Sequence, residues 1–326
     1  MSELRWHPLL GQWVITATHR QDRTFFPPKD YCPLCPTKPG HFPTEIPAPS
    51  YDIVVFENKF PSLQRHAPEP AVAATELSPV KEADGVCEVI CYTSDHDLTL
   101  AQLPVEQIER LVNVWTDRTR ELGNRSDVAY VFIFENKGAA IGVTQAHPHG
   151  QIYAYPTIPP VLETELAQCA VHWEKTGRNL VLDVVESEVA DGRRLVFATD
   201  SFAVYIPFFA RYPYETYITA RRPGVGRLDQ MSAAEHADLA RTLKRLLVTF
   251  DNLFDMSLPY IMAMHQSPVD DKDYSDIYNF HIEFYPPNRT KEKLKYLAGS
   301  EAGAGAFIND TLAEEKAQEL RDNLPA

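Results

Sequence analysis

Strand-like runs and an amphipathic helix follow one another in the same order in both halves of this 326-residue chain, and that repetition leaves few folds open. In the first half, "YDIVVFENKFPSL" and "GVCEVICYTS" are rich in β-branched and aromatic residues. From Pro104 to Leu122, Ile108, Leu111, Val112, Trp115 and Leu122 recur near the helical period, and "VAYVFIFENKG" and "HPHGQIYAYP" complete the set. The second half repeats it: "LVFATDSFAVYIPFFARYPYETYITA" is strand-like, and Ser232 to Phe254 is a helix with Leu239, Leu243, Leu246, Leu247 and Phe250 on one face. "YIMAMHQSP" and "YNFHIEFYPP" then read as strands. This order predicts two α+β halves, 1–165 and 166–326, sharing one largely antiparallel sheet with helices to one side and a join near the helix-like Glu163 to Arg178 stretch. In this register His147 and His149 fall opposite His281 and Glu283. Because residues i and i+2 of a strand face the same way, both pairs can serve one surface of the sheet.

Hydrophobic residues at 44% and aromatic residues at 11% exclude a disordered chain. No stretch approaches the roughly 18 uninterrupted apolar residues of a membrane helix. The start "MSELRWHPLLGQWV" lacks the pattern of a secretory signal, so the expected location is the cytoplasm, with no membrane partner. A net charge of −14 repels phosphate backbones at long range, which sets nucleic acid aside but leaves room for a small anion held by local arginines or amides. Of five cysteines, Cys32 and Cys35 stand in "CPLC" while Cys87, Cys91 and Cys169 are scattered. In a reducing compartment that pattern points to metal ligation before disulfides, although "CPLC" alone also fits a redox pair. The proline-rich first 50 residues need an anchor.

The chemistry concentrates in "QAHPHGQI", residues 145 to 152. Pro148 cannot donate a ladder hydrogen bond, so the strand lies at an edge or ends there. Gly150 allows a ligand to approach the main chain, and Gln151 adds an amide donor for an anionic oxygen. A neutral imidazole has an unprotonated nitrogen to offer, and its other N–H can be held by a backbone carbonyl.

"FENKGAAIGVTQAHPHGQIYA", with "CPLC" upstream and "FHIEFYPP" downstream, resembles galactose-1-phosphate uridylyltransferases, a branch of the histidine triad superfamily. The likeness runs in order over nearly the whole chain. It implies duplicated histidine-triad-like halves and a double displacement in which His149 attacks the α-phosphorus of UDP-glucose, releases glucose 1-phosphate, and passes the uridylyl group to a hexose 1-phosphate. The same resemblance assigns the carbonyl of His147 to the tautomer of His149 and Gln151 to the phosphate. Asn58, Asn136, Gly142 and Thr144 fall to the nucleotide walls, and Arg20 and Arg23 to the nucleotide phosphates, at least one of them across a homodimer interface. Lys59 stands where the family has an aspartate, and Thr144 where it has a serine.

The resemblance further implies a zinc site of Cys32, Cys35, His96 and His147, a donor set that suits tetrahedral zinc. A second metal, zinc or iron, falls to Glu165, His265, His281 and Glu283, the last standing in place of a third histidine. Lys295 and Glu301 match hexose contacts, while Ser300 and Phe307 depart from them. Two other readings remain at this stage: a nucleotide-sugar phosphorylase, for example of ADP-glucose, using the same histidine, and a zinc-stapled nucleotide-binding module without turnover.

Overall fold

Runs of β-branched and aromatic residues and two long amphipathic helices dictate most of the architecture. A computed structural model describes residues 2–22, 31–40 and 42–325. A hairpin of β1 (Ser2–His7) and β2 (Gln12–Ala17) opens the chain, followed by β3 (Val54–Glu57), β4 (Val80–Glu82) and β5 (Val86–Cys91). Helix α1 (Val105–Gly123) leads to β6 (Tyr130–Lys137) and β7 (His149–Tyr155). Helices α2 (Pro160–Thr176) and α3 (Leu180–Asp191) precede β8 (Leu195–Ala198), β9 (Phe202–Tyr205) and β10 (Thr216–Ala220). Helix α4 (Ala233–Leu253), β11 (Tyr260–His265), β12 (His281–Tyr285) and α5 (Ala313–Asp322) complete it. Ser232 caps α4 through a reciprocal pair with Glu235, which satisfies the first-turn N–H groups. Among the described residues, no helix is long and apolar enough to cross a membrane.

Nine strands form one antiparallel sheet in the order β3-β5-β7-β6-β11-β12-β10-β9-β8, and β2-β1-β4 form a small separate sheet. About the β6–β11 seam, where Tyr260 pairs with Lys137 and Ala263 with Phe134, β6-β7-β5-β3 on one side mirrors β11-β12-β10-β9 on the other, and β8 adds an edge strand to the second half. The structure aligns the halves one step differently from the sequence expectation. His149 and Gln151 begin β7 as His281 and Glu283 begin β12, so His147 corresponds to Asn279. The reason is Pro148, which keeps His147 out of the ladder and delays the strand to His149.

One face of the sheet packs on α1, α4 and α5, where Ile108, Trp115, Leu243 and Leu247 meet Ile90, Ile133, Ile152, Met262 and Ile282. The helices are not confined to that face. Val185 of α3 packs on Tyr205 and Tyr217, and Leu166 and Cys169 of α2 pack on Tyr278, so the supposed linker is a helix folded back over the second half. Over the first half, the small sheet and the arm cover the same face through Leu4, Cys87 and Tyr153, and through Leu34, Ile46, Val89 and Cys91. His149, Gln151, His281 and Glu283 all belong to this second face.

On the helix side, a carboxyl interrupts the apolar core. Glu135 of β6 is buried and accepts from the Tyr260 hydroxyl at 3.3 Å. Burial pushes it up to about 7, against the opposing pull of Lys137 and the hydroxyls of Tyr260 and Tyr92. Since the folded value lies above the ordinary 4.5, the native state holds the proton more tightly. The stabilisation is complete below about 4.5 and is lost as pH rises through about 7. Glu135→Gln should therefore raise Tm relative to wild type more at pH 8 than at pH 5. Equal shifts at both, read by calorimetry, would show that this carboxyl does not titrate there.

Candidate active site and metal centres

The turn before β7 lets one histidine serve two purposes. Nδ1 of His149 lies 2.7 Å from the carbonyl of His147. A carbonyl only accepts, so Nδ1 carries the proton and the lone pair sits on Nε2. The His147 ring lies 2.8 Å from the Thr93 carbonyl through Nε2, and the Tyr51 hydroxyl is 2.6 Å from the same nitrogen while it donates to Leu34. Burial first, and the neighbouring histidines after it, pull His147 down to about 4, which keeps the ring neutral.

Two clefts meet at His149. One, of about 250 Å³, is lined by Arg20, Asn136, Gly142, Thr144, His149, Gln151 and Tyr153. The other, of about 390 Å³, runs past Asn136, Thr144 and His149 toward His96, Lys137 and Ser257. Between them the segment after β6 turns tightly: Ala139–Ile141 is a single 3-10 turn, and Gly142 closes it at φ 84°, a left-handed conformation that favours glycine. The Thr144 hydroxyl is buried without a hydrogen-bond partner among the described residues. Gln151 accepts from the Tyr153 hydroxyl at 3.3 Å, so its amide N–H groups are the ones presented elsewhere. Arg20 reaches this cleft from its own chain, docked on the Phe60 carbonyl at 2.6 Å.

Several residues lie apart from the clefts. Asn58 accepts from the Phe60 N–H at 2.9 Å and does not line either of them, although the turn it closes also carries Arg20. Lys59 pairs with Glu45 at 3.0 Å. Lys295 and Glu301 bind each other at 3.1 Å beside Tyr212, in the second half and outside both linings. Arg23 lies outside the described residues. Tyr51, Thr93 and Tyr153, which orient His147 and Gln151, escaped the sequence reading because no local motif marks them.

Two donor clusters fit metal ions. Cys32, Cys35, His96 and His147 each offer one ligand atom, all within 4.8 Å of one another. The Cys35 sulfur is 3.4 Å from Nδ1 of His96 and 3.5 Å from Nδ1 of His147, and the Thr93 contact fixes the tautomer that leaves Nδ1 as donor. Burial and the adjacent Cys32 push the Cys35 thiol up to about 12, so a thiolate there needs a cation. Glu165, His265, His281 and Glu283 converge within the same limit. His265 bonds Glu165 at 2.9 Å and lies 3.7 Å from Glu283, while Nδ1 of His281 is 3.2 Å from the Asn279 carbonyl. Burial opposes charge on His265, yet Glu283 and Glu165 outweigh it and push the ring up to about 9. Two carboxylates and two neutral imidazoles would balance one divalent ion.

A histidine with a carbonyl-fixed tautomer, set among amide, hydroxyl and guanidinium donors, suits transfer of a phosphoryl-linked group. The chain is a nucleotidyltransferase. The profile described as "Galactose-1-phosphate uridyl transferase, N-terminal domain" matches residues 1–159, and that of the C-terminal domain matches residues 165–326. A galactose-1-phosphate uridylyltransferase of Thermotoga maritima is 41% identical over 324 residues, 99% of this chain and 98% of the relative. One from Rattus norvegicus is 34% identical over 98% of this chain and 86% of its own. A solved uridylyltransferase superimposes with a TM-score of 0.88 at 33% identity, covering 98% of both chains. An ADP-glucose phosphorylase from Arabidopsis thaliana, at 22% identity and a TM-score of 0.73 over 99% of this chain and 98% of that one, shares the fold. The chain belongs to the galactose-1-phosphate uridylyltransferase family.

If the Cys–His cluster holds zinc, Cys35→Ser should remove most of it and lower Tm by roughly 5 °C or more, since the arm loses its anchor. Metal analysis finding zinc unchanged in that variant would contradict the assignment.

Proposed function

We propose that the protein transfers a uridylyl group from UDP-glucose to galactose 1-phosphate in two displacements through His149. The observation that carries this reading is the 2.7 Å contact between Nδ1 of His149 and the His147 carbonyl, which places the lone pair on Nε2. In the first step Nε2 attacks the α-phosphorus, the bond to the bridging oxygen breaks, and glucose 1-phosphate leaves with that electron pair. The proton stays on Nδ1, where the carbonyl stabilises the cationic ring. In the second step a phosphate oxygen of galactose 1-phosphate attacks the same phosphorus and returns the lone pair to His149. Donor and acceptor are sugar phosphates of matched leaving ability, so the site supplies position and charge neutralisation more than proton transfer. Gln151, the Thr144 hydroxyl, the Gly142 turn and Arg20 fit that task, with Asn136 beside them. Asn58 acts through the turn on which Arg20 rests.

Zinc at Cys32, Cys35, His96 and His147 supplies a rigid cross-link under the nucleophile's turn. Zinc or iron at Glu165, His265, His281 and Glu283 ties α2 to β11 and β12. Within this reading 1–165 does the chemistry and 166–326 supports it. Lys295 and Glu301, removed from the clefts of their own chain, contact the hexose from a second copy, as Arg23 contacts the nucleotide phosphates, in a cytoplasmic homodimer. A fully active monomer would contradict that arrangement. The phosphorylase reading has weaker support, since its solved example shares only the fold, and a module without turnover has no use for the His149 tautomer.

The two histidines of "HPHGQ" should fail differently. His149→Ala should leave zinc and UDP-glucose binding in place while lowering exchange of label from glucose 1-phosphate into UDP-glucose by roughly a thousandfold or more. His147→Ala should lose zinc and stability together with rate. Exchange surviving in His149→Ala would end the double-displacement reading.

A further inference from the structure

Gly150, between the nucleophile and the phosphate amide, lacks a side chain because the protein itself fills the space. A Cβ there would stand 2.3 Å from the Tyr92 hydroxyl and 3.0 Å from the Phe134 carbonyl. The close approach expected of a ligand at this glycine is made by Tyr92. That residue directly follows β5, and its main chain is held at both ends: its N–H donates to the Pro148 carbonyl at 3.2 Å, and its carbonyl accepts from Gln107 of α1 at 2.9 Å. Its ring is fully buried, edge-on to Trp115 with centroids 6.1 Å apart. The hydroxyl therefore passes beneath β7 at the residue separating His149 from Gln151.

The register continues the row. Phe134 pairs with Gln151, so the next position, Glu135, lies beside Gly150 on the helix face of the sheet. Glu135 accepts from Tyr260 of β11 at 3.3 Å. The Tyr92 hydroxyl has no hydrogen bond of ordinary geometry among the described residues and lies within electrostatic reach of the Glu135 carboxyl. A buried polar row thus runs from the end of β5, beneath β7, to Glu135 of β6 and Tyr260 of β11, under the nucleophile.

We propose that Tyr92 and Glu135 are positioning residues for the reaction: Tyr92 from within the core and Glu135 between the core and the wall of the larger cleft set the height of the β7 backbone at Gly150, and thereby aim Nε2 of His149 and the amide of Gln151 at one phosphorus. In-line displacement demands such a fixed seat, since a shift of about 1 Å costs on the order of a hundredfold in rate. The Tyr92 hydroxyl seats Gly150 by direct contact, and Glu135 needs a polar group to keep its bond from Tyr260, because a buried hydroxyl left without a partner is costly.

The inference rests on His149 as nucleophile, and the experiment separates the two. Formation of the covalent uridylyl-protein from UDP-glucose is followed in single turnover by rapid quench for wild type, Tyr92→Phe, Glu135→Leu and Glu135→Gln, with UDP-glucose affinity and zinc content measured on each. Tyr92→Phe and Glu135→Leu should slow the covalent step roughly tenfold or more while affinity and zinc hold, and Glu135→Gln, which keeps a donor and an acceptor, should restore it to near wild type. A wild-type rate in Tyr92→Phe overturns the inference and leaves the nucleophile standing. So does a loss of rate matched by loss of affinity and zinc, which marks a structural role. Absence of a covalent product in the wild type overturns both.

Discussion

The bond from the His149 ring to the carbonyl two residues back, at 2.7 Å, depends on where His147 is held, and the rest of the site depends on that bond. His147 uses its ring and its carbonyl separately. The ring is gripped by Thr93, Tyr51 and the Cys35 sulfur, so the carbonyl it carries cannot swing away from His149. Pro148 stiffens the one residue between them. A tautomerically mixed imidazole would be a poor nucleophile at phosphorus, and the turn removes that alternative with a carbonyl in place of a carboxylate.

The second half carries the same device put to another use. Nδ1 of His281 meets the Asn279 carbonyl at 3.2 Å, as Nδ1 of His149 meets that of His147. The surroundings decide the outcome. Between β6 and β7 the chain supplies a glycine turn and Thr144, groups that accept an anion. Between β11 and β12 it supplies Asp270, Asp271, Asp273 and Asp276, which repel one. Where β7 carries the neutral amide of Gln151, β12 carries Glu283, paired with Arg211 at 3.2 Å. One ring faces a cleft lined by amide, hydroxyl and guanidinium groups, and the other faces carboxylates. Duplication of the strand order therefore did not duplicate the chemistry.

Much of this was legible in the sequence, and the parts that were not share a cause. Helices α1 and α4 announce themselves because their buried leucines, isoleucine and tryptophan keep the helical period, and all nine main-sheet strands fall within runs of β-branched or aromatic residues. Helix α3 was missed because "LVLDVVESEV" mixes apolar and acidic residues without a clear stripe, and only packing on Tyr205 and Tyr217 defines its buried side. The half-to-half alignment slipped because a pair of histidines is a stronger visual match to a histidine and a glutamate than His149 and Gln151 are. Pairing register, not residue type, settles it. Within the site, motifs located side chains that the fold brings together around His149, whereas Tyr51, 96 residues from His147, and Tyr92 beneath Gly150 are visible only once the chain is folded.

The central claim is that a single phosphorus is attacked twice, first by Nε2 of His149 and then by the acceptor. Each in-line displacement inverts the configuration at phosphorus, so two of them restore it. The most direct measurement uses UDP-glucose made chiral at the α-phosphorus by one sulfur substituent, with the configuration of the UDP-galactose product read by phosphorus NMR. Net retention is the predicted result. Net inversion would mean direct transfer between the two sugar phosphates and would contradict the account.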